Sequence, residues 1–360
     1  MTRVVHTGDT HLGYRQYNSP ERRRDFAEAF ERVIDDAIRD DADAVVHAGD
    51  LFHDRRPDLR DLQATVAALR ELADADIPFL GVVGNHEGKR DGQWLDLLAD
   101  LGLATRLNEE PTVIGDLALY GLDHVPPARR EALEYEFEPT DADHTALVAH
   151  GLFEPFPHGD WDTDRLLAES PVEFDALLLG DDHRPDTREL DGTWLTYPGS
   201  TERASASERE DRGYNVVTTG DDDISIARRG LETRPFVFVD VTLSADEGDE
   251  RVRQRVHEHD LDDAVVVVTV EGDGDPITPA TIEEAATDDG ALLARVNDRR
   301  DLADDPDTEE RVTFADPDAA VRERLREAEF GRATLGIDET VRESKIADAN
   351  VRETVEDRIR

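Results

Sequence analysis

Cysteine is absent from these 360 residues, lysine occurs only at Lys89 and Lys345, and no long apolar run breaks the polar sequence. Without thiols there is no disulfide framework, no thiolate metal site and no cysteine nucleophile. The longest apolar stretches, such as Leu177-Leu178-Leu179 and Val265 to Val268, fall far short of the ~20 residues of a membrane span. The start, Met1-Thr2-Arg3-Val4-Val5-His6-Thr7, lacks the apolar core of a signal peptide, so the expectation is a soluble, cytoplasmic chain with no membrane contact. Basic charge is scarce as well: 41 Lys and Arg face 86 Asp and Glu, a formal net charge of −45. The acids are spread among regular apolar periodicities, whereas a disordered acidic tail would form one block. Such a surface suits a cytosol of molar salt, where a Debye length of ~3 Å screens self-repulsion. Acidity is therefore a weakened argument against a nucleic-acid partner.

At ~150 residues per domain the length allows two or three units. The first 230 residues repeat one theme, a short β-branched run, a turn with an acid or histidine, then often a helix. The runs are Arg3 to Thr7, Ala44 to Ala48, Phe79 to Val83, Thr145 to Ala149, Ala176 to Leu179 and Trp194 to Tyr197. Ser19 as cap and Pro20 at the first position predict a helix whose apolar face is Phe26, Phe30, Val33, Ile34, Ala37 and Ile38. Further helices are predicted from Asp58 to Ala73 and from Gln93 to Leu101, the latter stopped by Gly102. Strands alternating with helices indicate a layered α/β domain. From Pro235 a smaller α+β unit follows, with strands at Phe236 to Val241, Ala264 to Val270 and Ala291 to Val296 and helices at Glu250 to His259 and Ala280 to Ala286. From Pro317 the pattern is helical, interrupted at Gly331 to Gly336.

The chemistry sits at strand ends. The first strand leads into Gly8-Asp9-Thr10-His11 and the second into Gly49-Asp50-Leu51-Phe52-His53. The third leads into Gly84-Asn85-His86-Glu87, the fourth into His150-Gly151, and the fifth into Gly180-Asp181-Asp182-His183. Taken singly, each reads as an ordinary turn or a satisfied core histidine. Five in order, each at the carboxyl end of a strand, read as a site on one edge of the sheet. Mixed carboxylate, imidazole and amide-oxygen donors suit Mn²⁺, Fe²⁺, Zn²⁺ or Mg²⁺ rather than a soft ion. A carboxylate bridging two such ions about 3.5–4 Å apart leaves room for a hydroxide and two phosphate oxygens, the arrangement of phosphoester hydrolysis.

These motifs (Asp-x-His, Gly-Asp, Gly-Asn-His-Glu, His-Gly and a final Gly-x-x-His) resemble the calcineurin-like metallophosphoesterases. The finer resemblance is to the meiotic-recombination-eleven (Mre) family of DNA double-strand-break repair nucleases, with the SbcD-type exonucleases as cousins. It rests on Gly49-Asp50-Leu51-Phe52-His53, on Arg55-Arg56-Pro57, on Tyr197-Pro198-Gly199-Ser200-Thr201-Glu202, and on the domain order. The resemblance implies a layered β-sandwich flanked by helices over residues 1–232. It further implies an α+β capping domain over 233–316 and a helical segment over 317–360 that docks on a Rad-fifty type ATPase. Asp9, His11 and His183 resemble the ligands of one metal, Asp50 the bridge, and Asn85 and His150 ligands of the second. His86 resembles the catalytic histidine at the leaving group and His53 an auxiliary one, with a supporting or surface role as the alternative for His53. Glu87 is a candidate to orient His86.

One position departs from the family pattern. Where a Gly-His-x-His is usual the chain has Gly180-Asp181-Asp182-His183. Asp181 is the favoured replacement ligand; Asp182 after a loop shift, or a weak second metal with neither, are the alternatives. The family further implies two Mn²⁺ ions per subunit, with Mg²⁺ possible. It implies 3′-to-5′ exonuclease action on duplex ends, endonuclease action on single strands, and action on the nucleoid. A homodimer through the helices at 58–73 and 93–101 is also implied, with Leu62, Val66, Leu69, Trp94, Leu97 and Leu98 as candidate apolar surface; ordinary intradomain packing is the favoured reading for most of these positions. Arg55, Arg56, Lys89, Arg90 and Arg203 are the candidate cations for DNA, with salt-bridging to the surrounding acids as the alternative for each. A phosphatase or small-molecule phosphodiesterase with the same centre, and a non-hydrolytic DNA-end scaffold, are the competing functions.

Overall fold

The computed structural model describes residues 1–89, 92–221 and 223–300. The helical segment expected over 317–360, the last part of the capping domain and Arg90 lie outside these residues. Five strands open the chain: β1 (Arg3–Thr7), β2 (Ala44–His47), β3 (Phe79–Gly81), β4 (Thr105–Arg106) and β5 (Thr112–Ile114). There follow β6 (Leu117–Leu122), β7 (His144–His150), β8 (Ala176–Gly180), β9 (Asp186–Leu190), β10 (Thr193–Tyr197), β11 (Gly213–Thr219) and β12 (Ile224–Gly230). The main helices among them are α1 (Pro20–Arg39), α2 (Leu59–Asp74) and α3 (Trp94–Asp100). The capping of α1 is as the sequence suggests: Ser19 Oγ accepts hydrogen bonds from the backbone of Glu21 and Arg22, and Pro20 starts the helix.

The strands form two six-stranded sheets, ordered β12-β11-β1-β2-β3-β4 and β5-β6-β7-β8-β10-β9. The β1-to-β4 run and the β6-β7-β8-β10 run are parallel, and the remaining strands add antiparallel edges. Alternation along each strand sorts its residues between layers. Val4, Val46 and Leu80 meet Leu119, Val148 and Leu178 between the sheets. Val5, Val45 and Phe79 point the other way, against Phe30 and Val33 of α1 and Leu69 and Leu72 of α2. Because both faces are covered, the parallel strands are near-continuous apolar runs. The opposite face of the second sheet carries Tyr120, Leu147 and Leu177 under Phe153, Trp161 and Phe174. The layered sandwich flanked by helices is therefore the fold of the first domain.

Sequence reading missed β4, β5, β6, β9, β11 and β12. The edge strands β9 and β12 alternate polar and half-buried positions and carry little apolar signal. The strand-end motifs also belong to two sheets rather than to one edge: β1, β2 and β3 lie in the first, β7 and β8 in the second.

Beyond β12 lie β13 (Phe236–Leu243), β14 (Val265–Gly272) and β15 (Leu293–Asp298), a parallel three-stranded sheet. The intervening helices Asp249–Val256 and Pro279–Asp288 bury Val252, Val256, Ile282 and Ala286 in a separate core with Val239, Val266 and Val268. Of the candidates for dimer surface, Leu69 and Leu98 are buried in the domain core, and Leu62, Val66 and Trp94 pack against it, as the intradomain reading expects. Of that set only Leu97 is exposed, at 43%. The reason is helical periodicity: the face that carries Leu69 and Leu98 is the one turned to the sheet. No helix among the described residues is long and apolar enough to cross a membrane.

Candidate metal centre

The carboxyl ends of β1, β2, β7 and β8 and the loop after β3 converge where the two sheets meet. Asp9, His11, Asp50 and Asp181 all adopt positive φ (49°, 44°, 57° and 97°), a conformation uncommon outside glycine. Four non-glycine residues held this way on one rim are stored backbone strain. The close approach needs Gly84, where a Cβ would lie 2.0 Å from Asp50 Oδ1.

Three groups of donors result. His11, His53 and His86 offer ligand atoms within 4.8 Å of one another, and so do two groups that share Asp9, namely Asp9, His11 and His183, and Asp9, Asp50 and His150. Asp50 lies between the two: Oδ2 is 3.8 Å from His11 Nε2, and Oδ1 is 3.7 Å from His150 Nε2. Asn85 Oδ1 is 3.1 Å from His150 Nε2. Asp181 Oδ1 is 3.7 Å from the same nitrogen. Its neighbour Asp182 instead accepts the backbone N–H of Arg184 at 2.9 Å, closing a turn. Of the two aspartates, it is Asp181 that reaches the donors.

The protons in this cluster are informative. His150 Nδ1 donates to the Ala48 carbonyl (2.8 Å) and His183 Nδ1 to Glu208 Oε1 (2.9 Å). In the neutral imidazoles, Nε2 of each is therefore a bare lone pair. That of His183 faces His11 Nε2 at 3.0 Å, and that of His150 faces three oxygens. The two rings can share one proton between these nitrogens, and a cation in its place would meet a nitrogen donor from each. Burial works against charging His183, yet its bond to Glu208 and the charges of Asp9 and Asp50 push it up to about 9. Burial is likewise outweighed at His150 by Asp50, Asp181 and Asp9, again giving about 9. Burial lifts the Asp9 carboxyl to about 6 against the pull of His183 and His150. A potential that holds protons this firmly holds divalent cations as well, and the donor set fits hard or borderline ions. With the histidines held by a carboxylate or carbonyl on their far nitrogens, the outer support of a metal site is also present.

His86 and His53 stand beside the cluster, their rings 4.9 and 5.3 Å from that of His11. His86 donates through Nδ1 to the His53 carbonyl (2.9 Å) rather than to Glu87. Glu87 turns away and takes the backbone N–H groups of Leu51, Phe52 and Gly84, so it shapes the Asp50 loop and does not orient His86. Burial, then the nearby Asp50, pushes its carboxyl up to about 7.

Among the candidate DNA cations, Arg203 is buried. Its guanidinium donates to the carbonyls of Glu208 and Glu210 and to Thr233. Lys89 Nζ lies 3.4 Å over the Trp94 ring, and Arg56 is exposed. Sequence reasoning missed Glu208, which sits in an acidic stretch with no local mark, and Tyr14, whose ring stacks on His53.

A two-sheet sandwich with such a cluster along its rim defines a metal-dependent phosphoesterase. Residues 2–202 match the sequence model of the family described as calcineurin-like phosphoesterase. The chain is 65% identical over 359 residues to the DNA double-strand break repair protein Mre11 of Haloferax volcanii, covering 100% of this chain and 81% of that one. It is 58% identical to the protein of the same name from Halobacterium salinarum, covering 99% and 93%. It is 41% identical to that from Methanosarcina acetivorans, covering 99% and 60%. The chain belongs to the Mre11 family of calcineurin-like phosphoesterases and is a metal-dependent phosphodiesterase.

Proposed function

We propose that this chain is a DNA nuclease that processes ends in double-strand-break repair by two-metal hydrolysis. Asp9, His11 and His183 would hold one cation, Asn85, His150 and Asp181 the other, and Asp50 both. The observation that carries this reading is the close approach of His11 and His183, Nε2 to Nε2 at 3.0 Å, beside a carboxylate whose two oxygens face the two halves of the cluster. Two divalent cations there supply an acidified water and charge neutralisation at the phosphoryl group. Mn²⁺ suits the mixed nitrogen and oxygen donors, with Mg²⁺ a weaker substitute.

The protein's own part is positional. Asp50 accepts the backbone N–H of His86 at 3.0 Å, so the bridge and the acid share one support. With Nδ1–H of His86 donated to a carbonyl, the doubly protonated ring carries its second proton on Nε2, which it can pass to the departing oxygen to leave the neutral imidazole. His53 stands next to it as an auxiliary contact for the scissile phosphate. DNA affinity at high salt must come largely from the cations and from geometry, because counterion release gives little there. We assign 1–232 to the nuclease domain, 233–316 to the cap and 317–360 to binding of a Rad-fifty type ATPase. Association as a homodimer, 3′-to-5′ exonuclease and single-strand endonuclease action, and work at the nucleoid of a saline cytosol complete the reading.

Anomalous scattering at the Mn edge from soaked crystals tests the centre, with two peaks within about 4 Å expected. Assays of duplex DNA, a small phosphodiester and a phosphomonoester side by side with Mn²⁺ test the substrate. Turnover confined to the small esters would replace the nuclease reading with a phosphatase or phosphodiesterase.

A further inference from the structure

Three imidazoles around the centre have rings fixed by a hydrogen bond on Nδ1, His183 to Glu208, His150 to Ala48 and His86 to His53. His53 lacks such a tether, for its own Nδ1 is buried with no hydrogen-bond partner among the described residues. What touches its face is Tyr14, with ring centroids 3.9 Å apart and planes 27° from parallel. Tyr14 is itself well placed. Its backbone N–H donates to the His11 carbonyl at 3.0 Å, and its ring meets Phe26 of α1 edge-on at 5.3 Å.

The pairing has a backbone cause. Beyond β1 and β2 the two chains keep running side by side, with Leu12 N–H on Leu51 O (2.9 Å) and His53 N–H on Leu12 O (3.1 Å). This carries Tyr14 from one loop over His53 from the other. His53 is thereby held 5.0 Å from His86 and 5.3 Å from His11.

We propose that Tyr14 is a positioning residue for the reaction, whose ring face holds the His53 imidazole in line with His86. The inference rests on the role given to His53 above. Stacking needs the aromatic face and not the phenol hydroxyl, so phenylalanine serves in its place. An aromatic pair of this kind is worth about a factor of ten in an equilibrium between held and free rings.

The test is steady-state hydrolysis of duplex DNA with Mn²⁺ by the full chain and by Tyr14→Ala, Tyr14→Phe, His53→Ala and the Tyr14→Ala/His53→Ala double variant. Mn²⁺ titration calorimetry and a crystal structure accompany each. Tyr14→Ala is expected to lower kcat about tenfold with KM and Mn²⁺ binding unchanged, and to leave the His53 ring in more than one rotamer. Tyr14→Phe is expected to restore both, and the double variant to be no slower than His53→Ala alone. Should alanine prevent folding, Tyr14→Leu fills the volume without a π face and is read the same way. Phenylalanine as damaging as alanine, a single His53 rotamer without Tyr14, or multiplying losses in the double variant would overturn the proposal. A His53→Ala enzyme as fast as the parent would instead remove the role of His53 itself, and Tyr14 with it.

Discussion

Glu208 and His183 stand 2.9 Å apart, carboxylate Oε1 to imidazole Nδ1, so an acid 25 residues away decides which histidine nitrogen faces the metal cluster. Burial would raise the Glu208 carboxyl, but His183 and Arg212 hold it below its ordinary range. Glu208→Gln keeps the shape and removes the charge. Its Mn²⁺ affinity should fall about 10- to 100-fold in a calorimetric titration, with the folded circular dichroism spectrum retained.

Asp181 and Asp182 make a paired comparison. Asp181 is within 3.7 Å of His150 Nε2, while Asp182 caps a turn at Arg184. Asp181→Asn is expected to lower the affinity of the second Mn²⁺ by about tenfold or more, and Asp182→Asn to leave both sites unchanged. Equal loss in the two variants, or none in either, would remove Asp181 from the ligand set.

Arg203 is a test of structure against electrostatics. Its nitrogens are spent on Glu208, Glu210 and Thr233, and the guanidinium lies 5.2 Å from the Phe236 ring centroid. Arg203→Ala should cost about 2–4 kcal/mol of stability by leaving buried acceptors unpaired. Denaturant melts should show that loss, while DNA affinity of the folded fraction stays put.

Acid sensitivity follows from His6, buried in β1, where desolvation pushes the imidazole down to about 3 against an opposing Leu179 carbonyl. The folded pKa lies below the unfolded value of about 6.5, so the unfolded chain takes up a proton first. Stability is then complete above about pH 6.5 and is lost as pH falls toward about 3, by about 2 kcal/mol at pH 5. Urea denaturation at pH 7 and pH 5 measures it, and His6→Leu should show a shallower fall.

Much of the site was legible because its marks are local. A glycine followed by Asp9, by Asp50 or by Asn85 at the end of a β-branched run is visible within a few residues, as is the Ser19-Pro20 start of α1. The partners were not visible. Nothing near Glu87 says that it serves the Asp50 loop rather than His86, and nothing near residue 208 points to His183. Leu69 and Leu98 face the domain core, the intradomain packing favoured for most of the apolar positions on α2 and α3, and only the folded chain sorts them from a dimer surface, since an apolar helix face does not declare which neighbour covers it.

The amino-acid order by itself determined the strands β1, β2, β3, β7, β8 and β10, the capped helices, the ligand-bearing turns and the acidic surface, because each is set by propensities and spacings within one turn or strand. The folded chain alone decided that those turns come from two sheets, that Asp50 sits between two histidines and that Tyr14 covers His53. Such relationships join residues 39 to 172 apart, and only the packing of one layer on another brings them within reach.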